Sequence, residues 1–181
     1  MNQAVAKTAL TGCLAPIDKN GLDELIAKGK ADPKVIKTLK CKTVAEGRFR
    51  HLNFIRNLPA YVVDEPPGLL GDDTAPNPTE ALLAALGTCV AVGLQANAVA
   101  RGWTVKGIEI ESEGDINITS VWGTGDLGEK AVGLTTVRLK ARLDVEGATE
   151  AELDELVAHA GQWSPVLNTV KNPVAVTLSR A

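Results

Sequence analysis

The chain has 181 residues, enough for one domain with a sizeable core, or for one domain with an appendage. Its net charge is -3, the apolar and charged fractions are an ordinary 45% and 23%, and no basic cluster indicates a nucleic-acid partner. The first residues lack a long apolar core with a cleavage site behind it, so we expect a cytoplasmic protein without a secretory signal.

The cysteines and histidines indicate neither a disulfide framework nor a metal site. Three cysteines without paired spacing are typical of a reducing compartment. The two histidines, His51 and His159, lie far apart in the sequence, and no Cys/His ligand cluster is present. We therefore expect no metal and no other cofactor.

Residues 1–40 differ in charge from the rest of the chain and predict an added helical extension. They carry seven Lys against four Asp or Glu, whereas the remainder is acidic. The pattern predicts two short helices, 21–30 and 33–40, with Asn20 and Asp32 as their N-caps and their apolar residues facing the rest of the protein. The remaining residues, 41–181, are predicted to form one domain.

Two strands are predicted next, over residues 43–55 and 60–64, with a turn at 57–59. The first arm of this hairpin carries three arginines: Arg48, Arg50 and Arg56. Two prolines at 66 and 67 end the pairing because proline cannot donate to a ladder.

A long helix over residues 77–102 is the central element of the sequence. Asn77 is a good N-cap, and Glu80 is placed to bond back to the N–H of the cap. Gly102 can adopt the left-handed conformation that ends a helix. Cys89 lies in the middle.

This helix carries no charge between residues 81 and 94, so it is predicted to be enclosed on all sides. A membrane span is the alternative, but the uncharged run is shorter than ~18 residues and is followed by Gln95 and Asn97. We therefore expect no membrane partner.

The rest of the chain predicts a meander, a helix and a closing strand. A strand over 104–113 is continued or paired by 115–121, a glycine-rich loop spans 122–133, and 135–145 alternates strictly between apolar and charged residues. Thr149 and Glu152 form a capping box for a helix that is predicted to stop at Gly161. A short helical turn from Ser164 and a strand over 173–179 complete an α+β fold.

A helix that is apolar all round needs more cover than these strands and one amphipathic helix provide. A second copy of the chain would supply that cover. We therefore expect a homodimer with Cys89 near the shared core.

Together, these residues resemble the osmotically inducible protein C and organic hydroperoxide resistance (OsmC/Ohr) family. The resemblance covers about residues 41–181 and rests on four motifs in order: Asp64-Glu65-Pro66, Asn77-Pro78-x-Glu80-x-Leu82-Leu83-Ala84-Ala85, Cys89, and Trp163-Ser164-Pro165-Val166. It implies intertwined homodimers, in which antiparallel sheets wrap around long buried central helices and the active sites lie at the subunit interface.

The resemblance also implies a chemistry for Cys89. In the peroxidase members a cysteine at this position attacks an organic hydroperoxide and becomes a sulfenic acid. A second cysteine then resolves it to a disulfide, and an Arg and a Glu assist the first thiolate. The resolving cysteine corresponds to Ser164 here, and the assisting Glu corresponds to Thr79. Arg48 is our choice for the assisting Arg, with Arg50 and Arg56 as alternatives.

Two functions follow from these expectations. The first is a stress-response enzyme that reduces organic hydroperoxides through Cys89. Ser164 cannot form a disulfide, so resolution would use an external thiol, Cys13 or Cys41. The second is a non-catalytic dimer of the same fold that binds a small apolar ligand, with Cys89 serving only as packing.

Overall fold

The protein was analysed as a computed structural model that describes residues 14–118, 122–123 and 132–180. The helices are α1 (Lys19–Ala31), α2 (Pro78–Ala100), α3 (Glu150–Trp163) and α4 (Pro165–Lys171), with a 3-10 turn at Pro67–Leu69. The strands are β1 (Lys42–Gly47), β2 (Arg50–Phe54), β3 (Tyr61–Val63), β4 (Thr104–Asn117) and β5 (Gly133–Glu146). The fold is α+β, as predicted.

The chain forms two compact units. The smaller unit is Lys28–Ala85 and contains an antiparallel sheet with the strand order β1-β2-β3. The larger unit contains residues up to Ala27 and from Leu86 onward, including the antiparallel pair β4-β5, α3, α4 and most of α2.

The core of the larger unit lies between α2, α3 and one face of the β4-β5 pair. Every fourth residue of α2 from Leu86 to Ala98 is buried, which places these side chains on one stripe of the helix. Leu156 and Ala160 of α3 complete the buried set. The β strands add the partly buried apolar residues Val105, Ile108, Ile110, Ala141, Leu143 and Val145.

The predicted signals at the ends of α2 are confirmed. Asn77 Oδ1 accepts from Glu80 N, and Glu80 Oε2 accepts from Asn77 N, both at 2.8 Å. At the other end Gly102 has a φ of 82°, and Trp103 N donates to Ala98 O at 3.0 Å.

The predicted strand over residues 43–55 is wrong, because a tight turn divides it into β1 and β2. Arg48 takes a left-handed φ of 45° in this turn, and Gly47 pairs with Arg50. The turn lets β1 pair with β2 locally, so both strands satisfy backbone groups that one long strand would leave open.

The N-terminal prediction is wrong in three respects. The first helix begins at Lys19, and Asp18 rather than Asn20 bonds to its first turn, through Asn20 N at 3.1 Å. No helix forms over residues 33–40, where Ile36 and Leu39 are exposed. A short segment with β-branched residues and no packing partner cannot sustain a helix alone. No residue of α1 is buried, so its apolar residues do not face a core as predicted.

The prediction for β5 and the capping box of α3 are confirmed, but two C-terminal predictions are wrong. Helix α3 passes through Gly161 and ends at Trp163, because Pro165 disfavours helical backbone at Ser164. Residues 173–179 form no strand among the described residues, and Leu178 is 99% exposed. The reason is that no described strand pairs with this segment.

Two further predictions concern residues 104–133. The stretch over 115–117 extends β4 rather than pairing with it. Most of the predicted glycine-rich loop at 122–133 lies outside the described residues, as do 119–121.

One chain covers only one side of α2. Leu82 is 40% exposed and Val92 59% exposed. Of the described helices, α2 alone is long and apolar enough to cross a membrane by length and composition, a test that the core helices of soluble proteins also pass.

Candidate functional site

The structure brings two of the sequence-predicted site residues into contact. Ser164 Oγ lies 3.2 Å from Cys89 Sγ, in hydrogen-bonding geometry with the hydroxyl as donor. Ser164 is 2% exposed and Cys89 is half-buried. A hydroxyl in this position can donate a hydrogen bond to the sulfur.

Close packing of α2 against α3 sets this contact. A Cβ added at Gly93 would lie 3.6 Å from Ala160 Cβ, so the two helices approach closely there. Cys89 is four residues before Gly93, and Ser164 is four residues after Ala160. Because residues four apart lie on the same helix face, an antiparallel pair that meets at Gly93 and Ala160 also meets at Cys89 and Ser164.

Ser164 is held in place by its position between two helices. It ends α3 in extended conformation and is the N-cap of α4, where its Oγ accepts from Leu167 N at 3.3 Å. Its oxygen therefore accepts one hydrogen bond and donates another. The N-cap role was foreseeable from Ser164-Pro165, whereas the contact with Cys89 depends on tertiary packing.

A cavity with mainly apolar walls lies about one helical turn from Cys89 along α2 and one turn from Ser164 along α4. Its volume is about 330 Å³, and its walls include Leu86 of α2, Leu167 of α4 and the start of β5. Leu86 is three residues before Cys89, and Leu167 is three residues after Ser164. The cavity is at the small end of the range for small-molecule sites.

The other sequence-predicted residues belong to the smaller unit. Arg48 forms an ion pair with Asp72, and Arg50 forms one with Glu46 and also donates to Thr74 Oγ1 at 2.7 Å. Thr79 lies in the first turn of α2, ten residues before Cys89. The roles of Arg48 and Thr79 beside the sulfur stay predictions.

Two acidic residues of the Asp64-Glu65-Pro66 motif have unusual environments. Asp64 is fully buried and accepts from Thr74 N at 3.0 Å, Thr74 Oγ1 at 2.7 Å and Glu65 N at 2.8 Å. The hydrogen bonds from Thr74 lower the pKa of Asp64 to about 2. Burial, followed by the charges of Asp64 and Glu80, raises the pKa of Glu65.

Asp64 fixes the loop that leads to α2. The bonds from Thr74 tie residues 64 and 74 together, and a Cβ at Gly71 would lie 1.8 Å from Glu65 O, so only glycine fits there. An acidic residue directly after a strand and before two prolines could have indicated such a loop. Within the described residues, no group of three or more His, Cys, Asp or Glu is arranged to hold a metal ion.

Comparison with known sequences gives one family. Residues 71–179, more than half of the chain, match the family described as OsmC-like protein. The matched range includes Cys89 and Ser164. No curated protein sequence matches the chain significantly.

Solved structures with the same fold share little sequence with this chain. An OsmC-like protein from Mycoplasma pneumoniae superposes with a TM-score of 0.64 at 17% identity, over 76% of this chain and 89% of that one. An OsmC-like protein of unknown function from Vibrio cholerae superposes with a TM-score of 0.63 at 14% identity, over 75% of this chain and 95% of that one. An organic hydroperoxide resistance protein OsmC from Legionella pneumophila superposes with a TM-score of 0.57 at 22% identity, over 76% of this chain and 92% of that one.

Proposed function

Because the chain belongs to the family of OsmC-like proteins, we propose that it is a stress-response peroxidase that reduces organic hydroperoxides through Cys89. The observation that carries the proposal is the hydrogen bond from Ser164 Oγ to Cys89 Sγ at 3.2 Å. The same hydroxyl caps α4, so it is held in place to donate to the sulfur during the reaction.

The proposed first step is attack of the Cys89 thiolate on the terminal oxygen of a hydroperoxide. The S–O bond forms as the O–O bond breaks, and the alkoxide leaves with a proton as an alcohol. Cys89 becomes a sulfenic acid, and the hydroperoxide is reduced by two electrons. The apolar cavity beside Leu86 and Leu167 supports an alkyl substituent rather than hydrogen peroxide as the preferred substrate.

Ser164 sets the second step. A serine cannot form a disulfide, so a sulfenic acid at Cys89 has no resolving thiol at this position. We propose that an external thiol attacks the sulfenic sulfur and releases water, and that a second equivalent restores the Cys89 thiol as an external disulfide forms. Cys41 is exposed and belongs to the smaller unit, and Cys13 lies outside the described residues.

The active assembly is proposed to be a cytoplasmic homodimer. Two exposed apolar surfaces support the dimer. They are the side of α2 with Leu82 and Val92, and the C-terminal segment around Val176 and Leu178. A second copy would cover these apolar side chains and would also supply a pairing partner for the extended segment. The assisting arginine remains Arg48, with Arg50 and Arg56 as alternatives.

Turnover of cumene hydroperoxide with dithiothreitol tests the peroxidase directly. Cys89→Ser is expected to abolish turnover, because a serine hydroxyl is too weak a nucleophile for this reaction. The matched control Cys41→Ser is expected to keep it. If Cys89→Ser turns over substrate at the wild-type rate, the peroxidase proposal is wrong. A wild-type protein that shows no turnover but binds apolar ligands would favour the non-catalytic function.

A further inference from the structure

A second cavity, larger than the first, lies at the other end of α2 in the same unit. Its volume is about 610 Å³. One wall is the segment Leu14–Ile17 that precedes α1, and the other consists of Val99, Trp103 and Val105. This volume is in the middle of the range for small-molecule sites, and the walls are mainly apolar, as in most such sites.

Gln95 supplies a polar group to this cavity. Two amides follow the uncharged part of α2, and one of them is satisfied within the helix, because Asn97 Nδ2 donates to Gly93 O at 2.7 Å. The side chain of Gln95 is half-buried, lines the cavity and has no hydrogen-bond partner in the part of the chain that the structure describes. It therefore offers one acceptor and two donor hydrogens to a ligand.

Both lysines at the rim of the cavity are paired with carboxylates. Lys19 pairs with Asp23 at 2.7 Å, and Lys106 pairs with Glu146 at 2.9 Å. Glu146, and to a smaller extent Asp144 at the rim, raises the pKa of Lys106. An anionic ligand would therefore find both lysines already paired and would meet the carboxylate of Asp144, which together with the mainly apolar walls favours a ligand without negative charge.

This cavity is separate from the Cys89 site. Val99 follows Cys89 by ten residues, which is about 15 Å along the helix axis. Residues 14–17 also lie outside the range that matches the OsmC-like family. The wall that they form is therefore an addition to the matched part of the chain.

We propose that this cavity binds a neutral, largely apolar small molecule whose single polar group, a hydroxyl or a carbonyl, bonds to the Gln95 amide. The apolar body packs against Val99 and Trp103. The Trp103 ring is also contacted by the guanidinium of Arg101, which lies 5.2 Å from the ring centroid.

Binding of 1-naphthol and 1-methylnaphthalene, neutral probes that differ by one hydroxyl, tests the proposal. In fluorescence titrations of the full chain, Val99→Phe is expected to weaken both probes at least tenfold by filling the cavity. The matched control Val157→Phe, on α3, leaves both affinities unchanged. Ala15→Trp fills the cavity from the opposite wall and serves if Val99→Phe fails to fold, as judged by circular dichroism.

Gln95→Leu separates the polar contact from the apolar one. It is expected to weaken 1-naphthol about fivefold, the loss of one neutral hydrogen bond, while 1-methylnaphthalene is unaffected or binds more tightly. Equal effects on both probes overturn the assignment of Gln95. If both cavity-filling variants bind the probes with wild-type affinity, the proposed site is wrong. If these variants also change the oligomeric state of the protein, a second copy of the chain fills the cavity instead. Cys89→Ser should bind both probes normally, so a failed peroxidase assay does not decide this test.

Discussion

At the scale of single residues, the hydroxyl of Ser164 is expected to control the reactivity of Cys89. Removing it by Ser164→Ala takes away a hydrogen bond to the reacting sulfur, which predicts roughly a fivefold fall in the rate of Cys89 alkylation by iodoacetamide. Thr169→Ala is the matched control, because Thr169 Oγ1 donates to Pro165 O on the same helix and does not bond to the sulfur. An unchanged rate in Ser164→Ala would show that the hydrogen bond has no chemical role.

The same contact predicts a disulfide when serine is replaced by cysteine. In Ser164→Cys a second sulfur takes the place of an oxygen 3.2 Å from Cys89 Sγ, a small adjustment away from bonding. Mild oxidation should remove two free thiols per chain in a thiol titration of the variant, and peptide mapping should find residues 89 and 164 linked. Persistence of both thiols under oxidant would mean that the two positions are further apart in solution.

The two acidic residues after β3 are expected to affect stability in opposite directions. The pKa of Asp64 is about 2 in the folded protein, below its value of about 3.9 in the unfolded chain. Its ionised form is therefore stabilised by folding, so its contribution is complete above about pH 4 and is lost as the pH falls toward 2. Asp64→Asn should lower the melting temperature at pH 7 and flatten its dependence between pH 4 and 2.

Glu65 should show the reverse behaviour. Burial and the nearby charges of Asp64 and Glu80 raise its pKa, so folding favours its protonated form. Ionisation then costs stability above that pKa. Glu65→Gln should melt higher than the wild type at pH 8, with the difference shrinking as the pH is lowered to 4. A lower melting temperature at pH 8 would show that the carboxylate has a stabilising partner.

At the scale of elements, the close approach of α2 and α3 is the feature that positions the site. Gly93→Ala adds a methyl group at an ordinary contact distance from Ala160 and should stabilise the protein by roughly 0.5–1 kcal/mol through helix propensity. Gly93→Leu overpacks the same contact and should destabilise by about 1–3 kcal/mol. It should also slow Cys89 alkylation, because the larger side chain would move α3 away from α2 and so separate Ser164 from the sulfur of Cys89. Urea unfolding and the rate of Cys89 alkylation test these expectations. Equal unfolding free energies and equal alkylation rates for Gly93→Ala and Gly93→Leu would contradict the role of this helix contact.

The elements that local signals specify were predictable, and those that depend on a distant neighbour were not. Helix α2 has a capping box and a C-terminal glycine, and β5 alternates strictly, so both follow from short stretches of sequence. The strand predicted over 173–179 needs a pairing partner, and the helix predicted over 33–40 needs a packing surface, neither of which the local pattern can reveal.

The candidate site divides in the same way. Cys89 and Ser164 were named from motifs in the sequence. Their hydrogen bond depends on how closely α2 approaches α3 at Gly93, and on the exact length of α3. Glu65 was visible only as part of a motif, because its raised pKa depends on the folding of the loop that follows it.

At the scale of the whole molecule, the exposed side of α2 predicts self-association. Val92 is 59% exposed on a helix with no charge near it, so Val92→Glu would bury a carboxylate in the proposed dimer interface. Sedimentation velocity at micromolar concentration should give a dimer for the wild type and a monomer for Val92→Glu. Lys140→Glu, on the charged face of β5, is the control and should remain a dimer. A monomeric wild type would contradict the proposed dimer with α2 at its interface.

The most direct measurement for the central claim is mass spectrometry of the full chain after one equivalent of cumene hydroperoxide in the presence of dimedone, which traps sulfenic acids. The peroxidase proposal predicts a single dimedone adduct, located on the peptide that contains Cys89, and no adduct in Cys89→Ser. Labelling of Cys41 instead, or an unmodified Cys89 after the hydroperoxide has been consumed, would contradict the claim that Cys89 is the reacting thiol.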